Sequence, residues 1–194
     1  MNILFLGPDK QPQTSIINFL LNEEHLVNKH QDKLDVDKIE KNKYDFLISF
    51  GYRHIIGDEI LTRFKDNAIN LHISYLPWNR GSDPNFWSVL ENTPKGVTIH
   101  QLESGIDKGK ILYQKKVSFE NNDTLKISYK KLMNEIVILF IANWKNIKSK
   151  KVDPIKQKGP GTYHRSSDKN SYLHLLTNGW DTQLKEIEGK AIHD

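Results

Sequence analysis

Apolar positions in this chain come in short bursts separated by polar turns. Residues 2–6 and 46–50 are short, mostly apolar runs, the latter of the kind buried on both faces of a parallel sheet. Residues 68–73 alternate instead, so Asn70 and His72 project from the same face of a strand. Residues 97–102 and 111–117 also alternate, and the loop 103–110 joins them as strand, loop and strand. Helical spacing appears twice. Ile16, Ile17, Phe19, Leu20 and Leu21 predict a helix over 15–21 after the turn Gly7-Pro8-Asp9-Lys10. A longer helix starts at Asp123 or Thr124 as cap and buries Leu125, Leu132, Ile136, Leu139, Phe140 and Trp144. A strand, a turn and a helix in that order open a Rossmann-like unit, which predicts an α/β fold with a mostly parallel central sheet flanked by helices. Residues 25–45 are polar, with little beyond Leu26, Val27, Leu34, Val36 and Ile39 to bury, so this part reads as trimmed relative to a full doubly wound domain. Residues 51–61 turn into a helix capped by Asp58.

Length and composition narrow the class. A chain of 194 residues suits one core. No apolar run approaches the ~18 residues needed to cross a bilayer, and residues 1–7 lack the basic leader and cleavage site of a signal peptide. There is no cysteine, which excludes disulfides and thiolate metal ligands and makes the cytoplasm the simplest compartment. His25 and His30, five apart among polar neighbours and without partner ligands, read as surface residues, so no metal is expected. The net charge of +4 leans on Lys145, Lys148, Lys150, Lys151, Lys156 and Lys158. Such a run is ordinarily a solvated surface; its sharper reading is a patch for the phosphates of a nucleotide or of RNA.

The chemistry concentrates between Asn70 and Trp87. Pro77, Arg80-Gly81 and Asp83-Pro84 carry the chain as a loop over the strand end, where ligands bind in open α/β sheets. The string Asn-x-His-x-Ser-x-Leu-Pro-x-x-Arg-Gly-x-x-Pro-x-x-Trp, followed by Gly96-Val97-Thr98-Ile99-His100 and by Gly105-Ile106-Asp107-Lys108-Gly109-Lys110-Ile111-Leu112, resembles the signature of formyltransferases that use 10-formyltetrahydrofolate. The resemblance implies the Rossmann-like formyltransferase fold and a catalytic trio of Asn70, His72 and Asp107. By position it also implies that His54, Ile55 and Ile56 contact the pterin ring, and that Ser82 and Glu103, Ser104, Gly105 and Ile106 line the folate site. Ser-Phe-x-Tyr-Arg before Glu59-Ile60-Leu61 is most similar to the branch that formylates amino sugars on nucleotide carriers, although Ser82 stands where such relatives often carry a basic residue. No Gly-x-Gly-x-x-Gly fingerprint is present, nor the glycine- and serine-rich phosphate loop of the purine-pathway transformylases.

Moving a formyl group to an amine builds negative charge on the formyl oxygen. The Asn70 amide supplies a donor that does not titrate. His72 supplies a titratable donor or proton shuttle, and Asp107 orients and charges the imidazole. Ser74 shares the His72 face, but the glycine-flanked elbow that would expose a nucleophilic serine is missing.

The expected division is a catalytic domain over 1–153 and a C-terminal extension over 154–194, too short to fold alone and packed on the domain. Within it Tyr163, His164, Arg165 and Trp180 are candidates for acceptor contact, with packing favoured for Trp180. The expected acceptor is a nucleotide-linked deoxyamino sugar bound for a surface polysaccharide such as lipopolysaccharide O-antigen. A methionyl-tRNA formyltransferase-like enzyme and a formyl-folate hydrolase or folate-binding module are the alternatives. The sugar and its nucleotide stay open, and a homodimer is neither required nor excluded.

Overall fold

The computed structural model describes residues 1–120 and 122–191. In chain order the elements are β1 (Asn2–Leu6), α1 (Gln13–Asn22), β2 (Leu26–His30), α2 (Val36–Asn42), β3 (Phe46–Ser49), α3 (Asp58–Phe64), β4 (Ala68–His72), β5 (Arg80–Gly81), α4 (Pro84–Leu90), β6 (Gly96–Gln101), β7 (Ile111–Lys116), α5 (Leu125–Lys148), β8 (Tyr163–His164) and α6 (Leu184–Ile187). The main sheet has the order β2-β1-β3-β4-β6-β7; the first four strands are parallel, and β6 runs against both its neighbours. This is the mostly parallel α/β architecture that the apolar runs predict.

Two layers of helix cover the sheet. On one face Ile3, Phe5, Ile48, Ile69, Leu71, Val97 and Ile99 meet α1 and the stripe of α5, including Leu132, Ile136, Phe140 and Trp144. Thr124 is the cap of α5, its hydroxyl accepting from the Ile127 N–H. On the other face Leu4, Leu6, Leu47 and Ala68 meet Ile39 of α2 and Ile60 and Phe64 of α3. Beyond Ala68 this second face turns polar: Asn70 lies opposite His100 and His72 opposite Thr98 in the antiparallel β4–β6 register. The odd positions of β4 complete one core, while its even positions past Ala68 face a region covered by loops. Those loops hold the site.

Four readings change. Residues 25–45 are not trimmed, because they form β2 and α2 and complete a β-α-β unit. As an edge strand beside β1, β2 has little apolar surface to bury, so its sequence carried little signal. The cap of α3 is Gly57, and Asp58 is the first helical residue, with its carboxylate receiving the Ser104 hydroxyl. His25 is half-buried: its Nε2 accepts from the Trp144 indole at 3.2 Å. Trp180 is 48% exposed and meets Phe86 of the core edge-on.

The chain after α5 returns to the sheet. Ile155 exchanges two backbone hydrogen bonds with Ile111, and β8 pairs in parallel with β5. Leu184 and Ile187 close a third cluster with Phe86, Trp87, Val89, Leu90 and Leu125. Among the described residues, no helix is long and apolar enough to cross a membrane.

Candidate active site

Strand β4 fixes Asn70 and His72 two residues apart on the polar face, and the loop between β6 and β7 brings Asp107 back over them. Asp107 holds a left-handed backbone (φ 52°), a conformation that persists only where surrounding contacts enforce it. Its carboxylate supplies those contacts. Oδ1 receives the Asn70 amide at 3.1 Å and lies 3.4 Å from His100 Nε2; Oδ2 receives the Gly81 N–H at 2.8 Å and lies 3.6 Å from His72 Nε2. Asn70, His72 and Asp107 therefore converge, as the alternation and the motif predict.

His72 is 7% exposed and Nε2 lies 3.1 Å from the backbone carbonyl of Asn79. A carbonyl only accepts, so Nε2 carries the proton and Nδ1 is the lone-pair nitrogen of the neutral ring. Burial lowers the His72 pKa below its ordinary value, and His100 adds to this; the Asp107 carboxylate and the Asn79 carbonyl oppose it without prevailing. For Asp107 burial works against ionisation, but His72, His100 and the Gly81 N–H more than offset it, and the carboxyl is held well below the usual range. The result is a carboxylate beside a mostly neutral imidazole near pH 7. Asn70 Nδ2 also lies 3.2 Å from His100 Nε2, whose ring is turned by an Nδ1 contact with the Gln101 carbonyl at 2.7 Å. Both Asn70 amide protons therefore point at protein acceptors, and donating to a substrate oxygen requires exchanging one of these partners.

The residues expected to hold folate form a rim beside this cluster. His54 and Ile55 are exposed, Ile55 at 82%; Ile56 packs with Tyr52 and Leu102 against the second core. Glu103, Ser104 and Gly105 are exposed, and Ile106 is 41% exposed. The Ser104–Asp58 hydrogen bond ties the loop after β6 to the start of α3, so the two halves of the rim are neighbours. Ser82 is half-buried and donates its N–H to the His164 carbonyl at 2.9 Å. Among the described residues, no group of three His, Asp or Glu side chains is arranged to hold a metal ion.

Sequence reasoning gave no role to His100 or Asn79 and offered His164 only as a candidate acceptor contact, yet all three pack around this centre. His100 is buried at 1% exposure against Asn70 and Asp107. Its signal was a histidine at an inward position of a strand otherwise fully buried. Asn79, fully buried with φ 56°, spends every polar group on the protein: its N–H and Nδ2 reach Thr162, Nδ2 also reaches Glu91, Oδ1 accepts from Thr93 and its carbonyl meets His72. His164 stacks on Trp87 at 3.8 Å and lies 3.1 Å from Glu91. Only the fold brings Thr162 and His164 here.

A mostly parallel sheet whose polar end gathers an amide, two imidazoles and a carboxylate beside a mixed, exposed rim is an α/β fold with a buried polar centre suited to acid–base chemistry. The particular family follows from comparison: residues 5–142 match the formyl transferase family, and the chain belongs to it. Across 99% of its length and 100% of the other chain it is 48% identical to the formyltransferase PseJ of Anoxybacillus kamchatkensis, with a TM-score of 0.94. That PseJ structure holds UDP-4,6-dideoxy-4-formamido-L-AltNAc and tetrahydrofolate. The chain is also 44% identical over 99 residues to the bifunctional polymyxin resistance protein ArnA of Wigglesworthia glossinidia brevipalpis, covering 50% of this chain and 15% of that protein. To the methionyl-tRNA formyltransferase of Prochlorococcus marinus subsp. pastoris it is 38% identical over 108 residues, 55% of this chain and 33% of that one. The matches thus span a third or less of these two curated relatives.

Proposed function

We propose that this protein transfers the formyl group of 10-formyltetrahydrofolate to the amine of a nucleotide-linked deoxyamino sugar, in the cytoplasm and toward a surface polysaccharide. The observation that carries the reading is the breadth of the likeness to PseJ, which runs through the C-terminal extension, whereas the likeness to methionyl-tRNA formyltransferase covers 55% of the chain. By analogy with the molecule held by PseJ, the acceptor class is a UDP-linked 4-amino-4,6-dideoxy sugar.

The amine attacks the formyl carbon, the N10–carbon bond breaks, and one proton passes from the amine toward N10. His72, kept neutral by burial, takes that proton at Nδ1 while its Nε2–H stays on the Asn79 carbonyl. Asp107 stabilises the imidazolium so formed, at 3.6 Å from Nε2. The Asn70 amide turns from a protein partner to the developing oxyanion, a donor whose removal ordinarily costs ~10²–10³-fold in rate. The rim 54–56 and 103–106, with Ile55 and Ile106 exposed, suits a flat, partly apolar ring.

The test incubates the protein with 10-formyltetrahydrofolate and UDP-, dTDP- and GDP-linked amino sugars and reads product mass. A gain of one formyl group on a UDP-linked 4-amino sugar, abolished in Asn70→Ala, His72→Ala and Asp107→Ala, is the expected result. Tetrahydrofolate released without formylated sugar would point to hydrolysis, and formylation of charged initiator tRNA at low salt would replace the sugar reading.

A further inference from the structure

The carboxylate of Asp107 is held by partners on every side, but its loop is held by one side chain from far along the chain. Gln157 donates both Nε2 protons, to the Asp107 carbonyl at 2.7 Å and the Gly109 carbonyl at 2.8 Å, and so spans the turn that contains Asp107. Its Oε1 accepts two N–H groups of Arg80, Nε at 3.1 Å and Nη2 at 2.8 Å. Arg80 precedes Gly81, whose N–H returns to Asp107 Oδ2 at 2.8 Å. The contacts close a ring from Gln157 to the Asp107 backbone, through its carboxylate to Gly81 and Arg80, and back to Gln157. One primary amide has two donor protons and two acceptor lone pairs, and here all four are used. The flanking Ile155, Lys156 and Lys158 are exposed, so apolar burial does not explain why this side chain points inward. A left-handed Asp107 needs outside support, and Gln157 binds its own carbonyl and that of the residue two further on.

We propose that Gln157 is a positioning residue for formyl transfer: it clamps the Asp107 turn to the Arg80–Gly81 turn and thereby keeps the Asp107 carboxylate beside His72. This rests on the function proposed above, but its first readout needs no substrate. Gln157→Met keeps the bulk and removes all four hydrogen bonds. Gln157→Glu keeps acceptors for Arg80 and removes the donors to the two carbonyls. In both variants the Gly81 amide is expected to exchange with solvent about tenfold faster or more, while the Ile48 amide of the central sheet keeps its protection. With folate and sugar substrates, kcat is expected to fall ~10- to 100-fold with KM for folate within about twofold, since misplacement of about 1 Å has that scale of effect. In an Asp107→Asn background, the added Gln157→Met change is expected to cost less than about twofold, because both changes act through one carboxylate.

Unchanged Gly81 protection in both variants overturns the clamp whatever the activity, and so does a full multiplicative loss on top of Asp107→Asn. If the wild-type protein formylates no amino sugar, the proposed function fails while Gly81 exchange still decides the clamp. If Gln157→Met loosens Ile48 as well, the decision passes to Gln157→Glu, and wild-type kcat in that variant would overturn the carbonyl contacts as the cause.

Discussion

Replacing Gly81 by alanine tests whether the site depends on the close approach of β5 and β8. Gly81 has φ 88°, and a Cβ built there meets the His164 carbonyl oxygen at 2.3 Å and the Tyr163 ring at 3.0 Å. The first contact is about 1 Å short of ordinary van der Waals distance, and its partner is backbone, which has no rotamer to swing aside. Either the β5 turn or the strand carrying His164 must move by about that much, against the paired bonds Arg80 N–H to Thr162 at 3.0 Å and Ser82 N–H to His164 at 2.9 Å. Movement of the turn stretches the 2.8 Å bond from the Gly81 N–H to Asp107 toward a distance at which it no longer acts as a hydrogen bond. Strained backbone and overpacking each cost about 1–3 kcal/mol. Together they amount to roughly 2–6 kcal/mol, and at roughly 2–4 °C per kcal/mol for a chain of this size, melting should fall by roughly 4–24 °C. A carboxylate misplaced by ~1 Å should lower kcat by about 10²-fold. Thermal melting and formyl-transfer kinetics on the same preparation read both effects. Melting within about 2 °C of wild type would refute the steric reasoning. A lowered melting point with unchanged kcat would refute the link from the Gly81 turn to the chemistry.

Two predictions concern pH. If neutral His72 takes the proton from the amine, kcat/KM should fall on the acid side, at a pH below the ordinary histidine value of 6.5, because burial lowers this pKa. The Asp107 carboxylate opposes that lowering, so Asp107→Asn should move the acid limb of its residual activity to still lower pH; a limb moving upward would contradict the assigned roles. Stability should follow the same sign. His25 and His72 both have folded pKa values below 6.5, so under that pH the unfolded chain binds more protons and stability falls as pH falls. His72→Gln should reduce the loss of melting temperature between pH 7 and about pH 5 without abolishing it, since His25 must still surrender the Trp144 hydrogen bond when it is protonated. An unchanged loss in that variant would mean that His72 is not held neutral by the fold. The loss from Asp107 belongs to more acid conditions, below its ordinary value of 3.8.

Much of the architecture was legible because burial on both faces leaves a mark on sequence. β1 and β3 are mostly apolar runs, β4 alternates, and α5 carries a stripe that runs through the buried Trp144 to Ile147. β2 and α2 were missed because an edge strand and a seven-residue helix bury too little for a pattern to rise above polar neighbours. Of the site, Asn70 and His72 could be paired from alternation alone, since two residues on one strand face are related by the pleat. Asp107 could be added only through the motif, because it reaches the strand through a left-handed loop with no periodicity to read. His100 sat in plain view as an inward histidine on β6 and was passed over for want of a register: the pairing of Asn70 with His100 is a property of two strands, not of either one.

The chain by itself therefore determined the layered α/β class, the core-facing sides of its strands and helices, and two members of the buried polar cluster, all consequences of local spacing acting with the hydrophobic effect. The tertiary structure alone decided how the remaining parts meet. Gln157 reaches the Asp107 turn across 50 residues of chain, Thr162 reaches Asn79 across 83, and a carbonyl from a loop selects which nitrogen of His72 holds the proton. Contacts over such separations depend on where the segment after α5 returns against the sheet, and no local pattern of apolar and polar residues encodes that path.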